Sequence, residues 1–174
     1  FSVIIVIAID EDSNIYVLDY VRKRGLPVLA IPGEDKKGIV DYIFEQNAIF
    51  KPRITVIEDT TMSRPVFQSV ISEMRRRNDF SVKVKQEKPG TRMSKRDRIQ
   101  EILAQRMAIG AVKIKKTHYD LQHEIITFGP RMAHDDTIDA LAYSVKYSIP
   151  PTGLEQKNNR YSKVVKMPKN WVVA

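Results

Sequence analysis

The sequence contains no cysteine, which excludes disulfide bonds and thiolate chemistry and fits a reducing compartment such as the cytoplasm. It also lacks an apolar run near the roughly 20 residues that span a bilayer. Its longest apolar run, residues 3–9, has the length of one strand. The phosphate-binding pattern G-x-x-x-x-G-K-[ST] is absent as well, so we predict that the chain neither binds nor hydrolyses ATP.

What the sequence does contain is a surplus of positive charge. Lysine and arginine number 29 against 21 acidic residues, which gives a formal net charge of +8. A basic excess favours a polyanionic partner, because Lys and Arg release counterions when they bind phosphates. A solubilising surplus explains the same composition, and composition alone does not separate the two. The length of 174 residues suits one domain with a sizeable core.

Apolar spacing predicts strands that alternate with helices. The predicted strands cover residues 1–9, 15–21, 53–57 and 80–85, with a further short strand at 111–116. The predicted helices cover residues 39–48, 66–77, 94–107 and 135–148, with a helical turn or two at 119–126. This order indicates an α/β fold with some parallel strands over residues 1–150. A C-terminal tail follows over residues 151–174, polar and loop-like as far as residue 171.

Glu58 ends one of the predicted strands, and Asp59 follows it directly. Ligands of open α/β sheets bind beyond the carboxyl ends of strands, which makes Glu58 a candidate functional acid. Alternatively, Glu58 is a strand-end acid that caps the next helix. Asp59 or Thr60 could form that cap equally well.

A second group of acids lies at the start of the last predicted helix. Asp135, Asp136 and Asp139 lie together along the edge of an apolar face that begins at Ile138. Like charges so placed repel one another unless a cation or the N-terminus of the helix compensates. One Asp as N-cap and another in the first turn is a common arrangement, but a third acid beside the apolar face is harder to explain structurally.

Carboxylates that converge in this way suit a hard divalent cation, because Mg²⁺ takes oxygen ligands and keeps several waters. Two such ions about 4 Å apart activate a water and stabilise the leaving oxygen in phosphodiester cleavage. A basic protein that presents acids at one point therefore suits a metal-dependent nuclease.

The acidic motifs resemble those of the nuclease domain of tailed-phage terminase large subunits. The resemblance covers residues 1–149 and includes 54–58 and the stretch 95–110. Its most specific part is the double Asp at 135–136 followed by Asp-Ala-Leu-Ala at 139–142, and the hairpin strand at 14–19 is a weaker cue. The family implies a ribonuclease H-like mixed sheet flanked by helices. It also implies a two-metal Mg²⁺ or Mn²⁺ site that cuts concatemeric viral DNA during genome packaging.

By position, Glu58 matches the second acidic motif of the family, and Asp135 and Asp136 match the third. The resemblance therefore implies that these three residues are catalytic, and that they bind metal together with Asp139. The family's first acid lies on a strand just before the hairpin, which we expect upstream of residue 1. Asp10 is a weak substitute for this first acid, because Asp is common in polar turns, where its side chain bonds the local backbone. We expect the 174-residue chain by itself to cleave DNA poorly.

The resemblance implies double-stranded DNA and an upstream ATPase domain of the same polypeptide as partners, in the host cytoplasm and without a membrane. Portal and small terminase subunit are further expected partners, with residues 163–169 and 171 as a docking tail. Basic residues are the candidate DNA contacts, although each could instead belong to a solvated face. They are Lys83, Lys85, Arg92, Lys95, Arg96, Arg98, Lys113, Lys115 and Lys116. Two alternatives stay open: another ribonuclease H-like nuclease of the resolvase or transposase type, and a non-catalytic DNA-binding or docking module.

Overall fold

A computed structural model describes residues 1–88, 93–129, 134–148 and 170–174. In chain order its elements are β1 (Ser2–Ile9), β2 (Ile15–Lys23), α1 (Ile39–Phe50), β3 (Thr55–Glu58), α2 (Arg64–Arg77), β4 (Val84–Glu87), α3 (Lys95–Ala108), β5 (Val112–Lys115), α4 (Tyr119–Ile126), α5 (Asp136–Lys146) and β6 (Trp171–Val173). The protein is thus mixed α/β, with a mixed sheet flanked by helices, as the sequence predicts. None of the described helices is both long enough and apolar enough to cross a membrane.

Four strands form one sheet in the order β1-β2-β5-β6. β2 and β5 run parallel, with Ile15 opposite Val112, while β6 runs antiparallel to β5. β6 thus adds an edge strand at residues that the sequence assigns to the tail. Its Trp171 ring packs edge-on against Tyr16, with ring centroids 5.6 Å apart.

The turn between β1 and β2 is organised by Asp10. Its carboxylate accepts hydrogen bonds from the backbone N–H groups of Asp12 and Asn14, at 3.0 and 2.8 Å. The same carboxylate also accepts from the Asn14 side chain and the Tyr16 hydroxyl. Asp10 therefore serves the turn, in the way that polar turns use this residue type.

β3 and β4 form a separate two-stranded parallel sheet in which Thr55 lies opposite Val84. The strand predicted at residues 80–85 therefore begins later than its alternating pattern indicates. The chain before it still turns, because the Asp79 carboxylate accepts a hydrogen bond from the Ser81 N–H. Phe80, which lies between these two residues, is 63% exposed.

The chain divides into two compact units, of which the first comprises residues 1–6 and 20–94. Its core gathers around Val40, Phe44, Ile57 and Val70, which come from α1, β3 and α2. α1 begins after Gly38, where a Cβ atom would lie 2.5 Å from the carbonyl carbon of Leu29 and a larger residue would clash.

The second unit comprises residues 7–19 and 95–174. α3 and α4 both pack against α5, whose Ile138, Leu141, Ala142 and Val145 are buried. This confirms the apolar face predicted for the last helix. Full burial of a Leu or Ile side chain stabilises the folded state by roughly 1.5–3 kcal/mol. The buried face of α5 therefore contributes substantially to the stability of this unit.

Candidate functional site

The first turn of α5 is capped by Glu124, a residue of α4 that the sequence analysis does not single out. Glu124 is 2% exposed, and its carboxylate accepts hydrogen bonds from the backbone N–H groups of Thr137 and Ile138, both at 2.8 Å. It also accepts one from the Thr137 hydroxyl at 2.9 Å. A carboxylate here satisfies N–H groups that have no partner within the helix, and it complements the positive end of the helix dipole.

Because Glu124 caps α5, the aspartates at its start are not needed for that purpose. Asp135 holds the N-cap position, yet within the described residues its side chain makes no capping hydrogen bond. The structural explanation that the sequence offers for Asp135, an N-cap, therefore does not apply. Its carboxylate binds Lys95 of α3 instead.

The three aspartates of this cluster converge on the ammonium group of Lys95. The Lys95 Nζ atom lies 2.6 Å from Asp135 Oδ1, 3.8 Å from Asp136 Oδ1 and 3.5 Å from Asp139 Oδ2. Burial lowers the pKa of Lys95, but the hydrogen bond with Asp135 and the charges of all three aspartates outweigh burial and raise the pKa above its ordinary value. Lys95 is therefore a charged counterion at the centre of the cluster.

Arg98, one helical turn further along α3, binds the same cluster at its other side. Its NH2 atom donates a hydrogen bond to Asp139 Oδ1 at 2.7 Å. This pair is less exposed than that of Lys95 and Asp135, with 12% of the Arg98 and 18% of the Asp139 side chain accessible to solvent. Two cations of α3 thus face three carboxylates of the second unit.

Carboxylate oxygens are the ligands that Mg²⁺ and Mn²⁺ prefer, so the donor chemistry of the aspartates fits such an ion. Among the residues that the structure describes, no group of three or more His, Asp or Glu is arranged to hold a metal. In the second unit, the ammonium group of Lys95 lies among the three carboxylates. The donor chemistry of the aspartates therefore suits a divalent cation, but their arrangement in this structure does not form a metal site.

In the first unit, Glu58 is the last residue of β3, as predicted, and it is partly buried. It lies in register opposite Glu87 of β4, an acid that the sequence analysis did not select. The turn that leads into α2 is held by Thr60 and Ser63, whose hydroxyl groups lie 3.0 Å apart. The neighbouring Asp59 carboxylate binds Arg64 at 2.9 Å. Thr60, Ser63 and the Asp59–Arg64 pair therefore organise this turn.

The candidate DNA contacts differ in their surroundings. Arg92 lies outside the described residues. Lys95 and Arg98 pair with the aspartates, and Lys85 pairs with Glu87. The ammonium groups of Lys113 and Lys115 donate to the carbonyl oxygens of Gly110 and Leu18, respectively. Three further candidates are exposed and take no part in these pairs. They are Lys83, Arg96 and Lys116.

Comparison of the chain with protein-family models, with curated proteins and with solved structures found no match.

Proposed function

We propose that this chain is a metal-dependent DNA endonuclease domain with a ribonuclease H-like fold, of the kind found in phage terminase large subunits. The observation that carries the proposal is the convergence of Asp135, Asp136 and Asp139 on one cationic position. The cluster is not needed to cap α5, because Glu124 already does so. The net charge of +8 and the sequence resemblance support the same proposal.

In this function Asp135, Asp136 and Asp139 of the second unit would bind Mg²⁺ or Mn²⁺, and Glu58 of the first unit is the further ligand that the sequence resemblance implies. The ions would activate a water and stabilise the leaving oxygen of a DNA phosphodiester. Glu124 keeps the first turn of α5 in place, which fixes the backbone from which the aspartates project. Exposed cations hold the DNA through its phosphates, largely without regard to base sequence.

A strand with the first acid of the family also has a place to pair. Among the described strands, β1 is an edge strand that pairs with β2 on one side. An edge strand presents backbone N–H and carbonyl groups that can bind a further strand. We propose that the full polypeptide supplies the first acid on such a strand, and that its ATPase domain, the portal and the small terminase subunit complete the packaging machine in the host cytoplasm.

The proposal is tested by Mn²⁺ titration of the chain, followed by electron paramagnetic resonance of the free ion. Asp136→Asn and Glu58→Gln should each weaken Mn²⁺ binding by about tenfold or more, since each removes a charged oxygen ligand. Asp35→Asn, which removes one charge from an exposed loop, should leave the affinity unchanged.

The same variants should abolish Mn²⁺-dependent plasmid cleavage by the full polypeptide. If neither substitution changes the Mn²⁺ affinity, the proposed site is refuted. Cleavage of branched junctions in preference to linear duplex would instead assign the resolvase type of ribonuclease H-like nuclease.

One observation favours a second candidate, a non-catalytic DNA-binding module. Lys95 and Arg98 already neutralise most of the acidic cluster, as they would in an ion-pair network that only joins α3 to α5. Such a module would bind DNA with little or no Mn²⁺ affinity, and Asp136→Asn would leave its DNA binding unchanged or stronger. The Mn²⁺ titration therefore decides between the two functions.

A further inference from the structure

One face of the four-stranded sheet is only partly covered in the second unit. Along β2 and β5, Val17, Val112 and Ile114 are buried, whereas the residues that alternate with them are partly exposed. Successive side chains of a strand point to opposite faces of the sheet, so these alternating residues share the second face. At its edge, the Val173 side chain of β6 is 49% exposed, so a ligand can reach this face.

The second face combines two aromatic rings with two lysines. The strand register places Tyr16 beside Lys113, and it places Trp171 beside Lys115. The rings of Tyr16 and Trp171 meet edge-on, with centroids 5.6 Å apart. The Lys115 Nζ atom lies 5.9 Å from the centroid of the Trp171 ring. We call these four residues the aromatic–lysine face.

The lysines of the aromatic–lysine face keep their positive charge available. Their ammonium groups donate hydrogen bonds to the backbone carbonyl oxygens of Gly110 and Leu18, which carry no formal charge. At one end of the face, the Tyr16 hydroxyl donates to the Asp10 carboxylate, and this bond holds the tyrosine ring in place. The face therefore offers flat apolar rings and positive charges side by side.

We propose that the aromatic–lysine face binds single-stranded DNA. Unpaired bases stack on the Trp171 and Tyr16 rings, while the lysines between the rings contact the phosphates of the same strand. In a duplex the bases are paired and stacked on one another, so their faces cannot reach the rings. This activity goes beyond the proposed nuclease function, because it needs no metal ion and uses none of the acidic residues of α5.

The first test compares two ligands of the unaltered chain, short oligo(dT) and an abasic oligomer of the same length. Both carry the same phosphates, but only oligo(dT) has bases that stack. Fluorescence anisotropy of the labelled oligomers, with EDTA present, should show oligo(dT) binding about tenfold more tightly or better. Equal affinity for the two oligomers would overturn the proposal, and this comparison needs no variant that could fail to fold.

Substitution of the tryptophan locates the stacking. Trp171→Leu keeps an apolar side chain on β6 and removes the ring, so it should weaken oligo(dT) binding by about tenfold. Trp171→Phe retains a ring and should lose less than Trp171→Leu. Tyr119→Leu is the matched control, because it removes a ring that is 73% exposed at the start of α4 in the same unit. Equal losses in Trp171→Leu and Tyr119→Leu would contradict the proposed face.

The lysines should appear in the salt dependence of oligo(dT) binding. If Lys113 and Lys115 each contact one phosphate, Lys113→Gln and Lys115→Gln should each reduce the slope of log K against log salt by about 0.7. Slopes that neither substitution alters would show that the strand does not cross the aromatic–lysine face.

A short duplex separates this inference from the proposed nuclease function. Trp171→Leu should leave duplex binding unchanged, since paired bases cannot stack on the ring. Equal weakening of duplex and oligo(dT) binding by Trp171→Leu would overturn the preference for a single strand. Because EDTA is present throughout, failure of the proposed metal site does not alter any of these results.

Discussion

The side chain of Glu124 binds Thr137 twice, at the backbone N–H over 2.8 Å and at the hydroxyl over 2.9 Å. Both residues are buried, and they lie 13 positions apart on different helices. This contact caps α5 from outside the helix, so the Asp135 side chain is not needed as the cap. The arrangement of the acidic cluster thus depends on a residue that belongs to none of the acidic motifs.

Glu124→Ala should lower the free energy of unfolding by about 2 kcal/mol, because it leaves buried N–H groups of Thr137 and Ile138 without their acceptor. Urea denaturation followed by circular dichroism measures the loss. Glu101→Ala on α3, where the glutamate is exposed, is the control and should change stability by less than about 0.5 kcal/mol. Equal effects of the two substitutions would show that the cap contributes nothing specific.

The ion pair of Arg98 and Asp139 should contribute measurably to the packing of α3 on α5. Arg98→Met and Asp139→Asn should each destabilise the chain, and the double variant should lose less than the sum of the two. We expect a coupling energy of about 1–2 kcal/mol, above that of exposed pairs, since both side chains are largely buried. A coupling energy near zero in the double-mutant cycle would contradict this.

The lowered pKa of Glu73 predicts how the stability of the fold responds to acid. Hydrogen bonds from Arg76 are the main reason that its pKa falls from 4.5 to about 2, with Arg77 adding to the effect and burial opposing it. A depressed pKa in the folded state means that the ionised carboxylate stabilises the fold above pH 4.5, and that this stability is lost as the pH falls towards about 2.

Thermal unfolding between pH 4.5 and pH 2 should therefore show a smaller decrease of Tm in Glu73→Gln than in the wild type. Glu11→Gln, in an exposed turn, should follow the wild type. Parallel curves for all three proteins would exclude Glu73 as a source of acid sensitivity.

DNA binding should depend on salt and on the exposed cations of the second unit. Arg96→Gln and Lys116→Gln should each weaken binding to a short duplex by a few-fold. If each side chain contacts one phosphate, the slope of log K against log salt should decrease by about 0.9. Fluorescence anisotropy at several salt concentrations measures both quantities. Lys36→Gln is the control, and a slope that no substitution alters would place the DNA contacts elsewhere.

The local elements could be predicted from sequence because their signals are local. Ile138 and Leu141 are at helical spacing, and both are buried in α5. Glu58 follows a short apolar run, and it ends β3 as expected. β4 begins later than its alternating pattern predicts, because its start is set by the pairing of Val84 with Thr55.

The partners of the acidic residues could not be predicted, because they come from distant parts of the chain. Lys95 and Asp135 are 40 residues apart, and nothing in either neighbourhood indicates the other. Glu124 did carry a signal. It follows the buried Leu121 by three residues and so lies on the buried face of α4, where a charged residue needs a specific partner.

Trp171 is the chain's single tryptophan, and the pairing of β6 with β5 places it against Tyr16. Its fluorescence emission therefore reports whether this edge of the four-stranded sheet is assembled. Unfolding of the edge strand should shift the emission to longer wavelength as the indole enters water. The protein thus carries an intrinsic optical probe of its second unit, one that follows this edge without any added label.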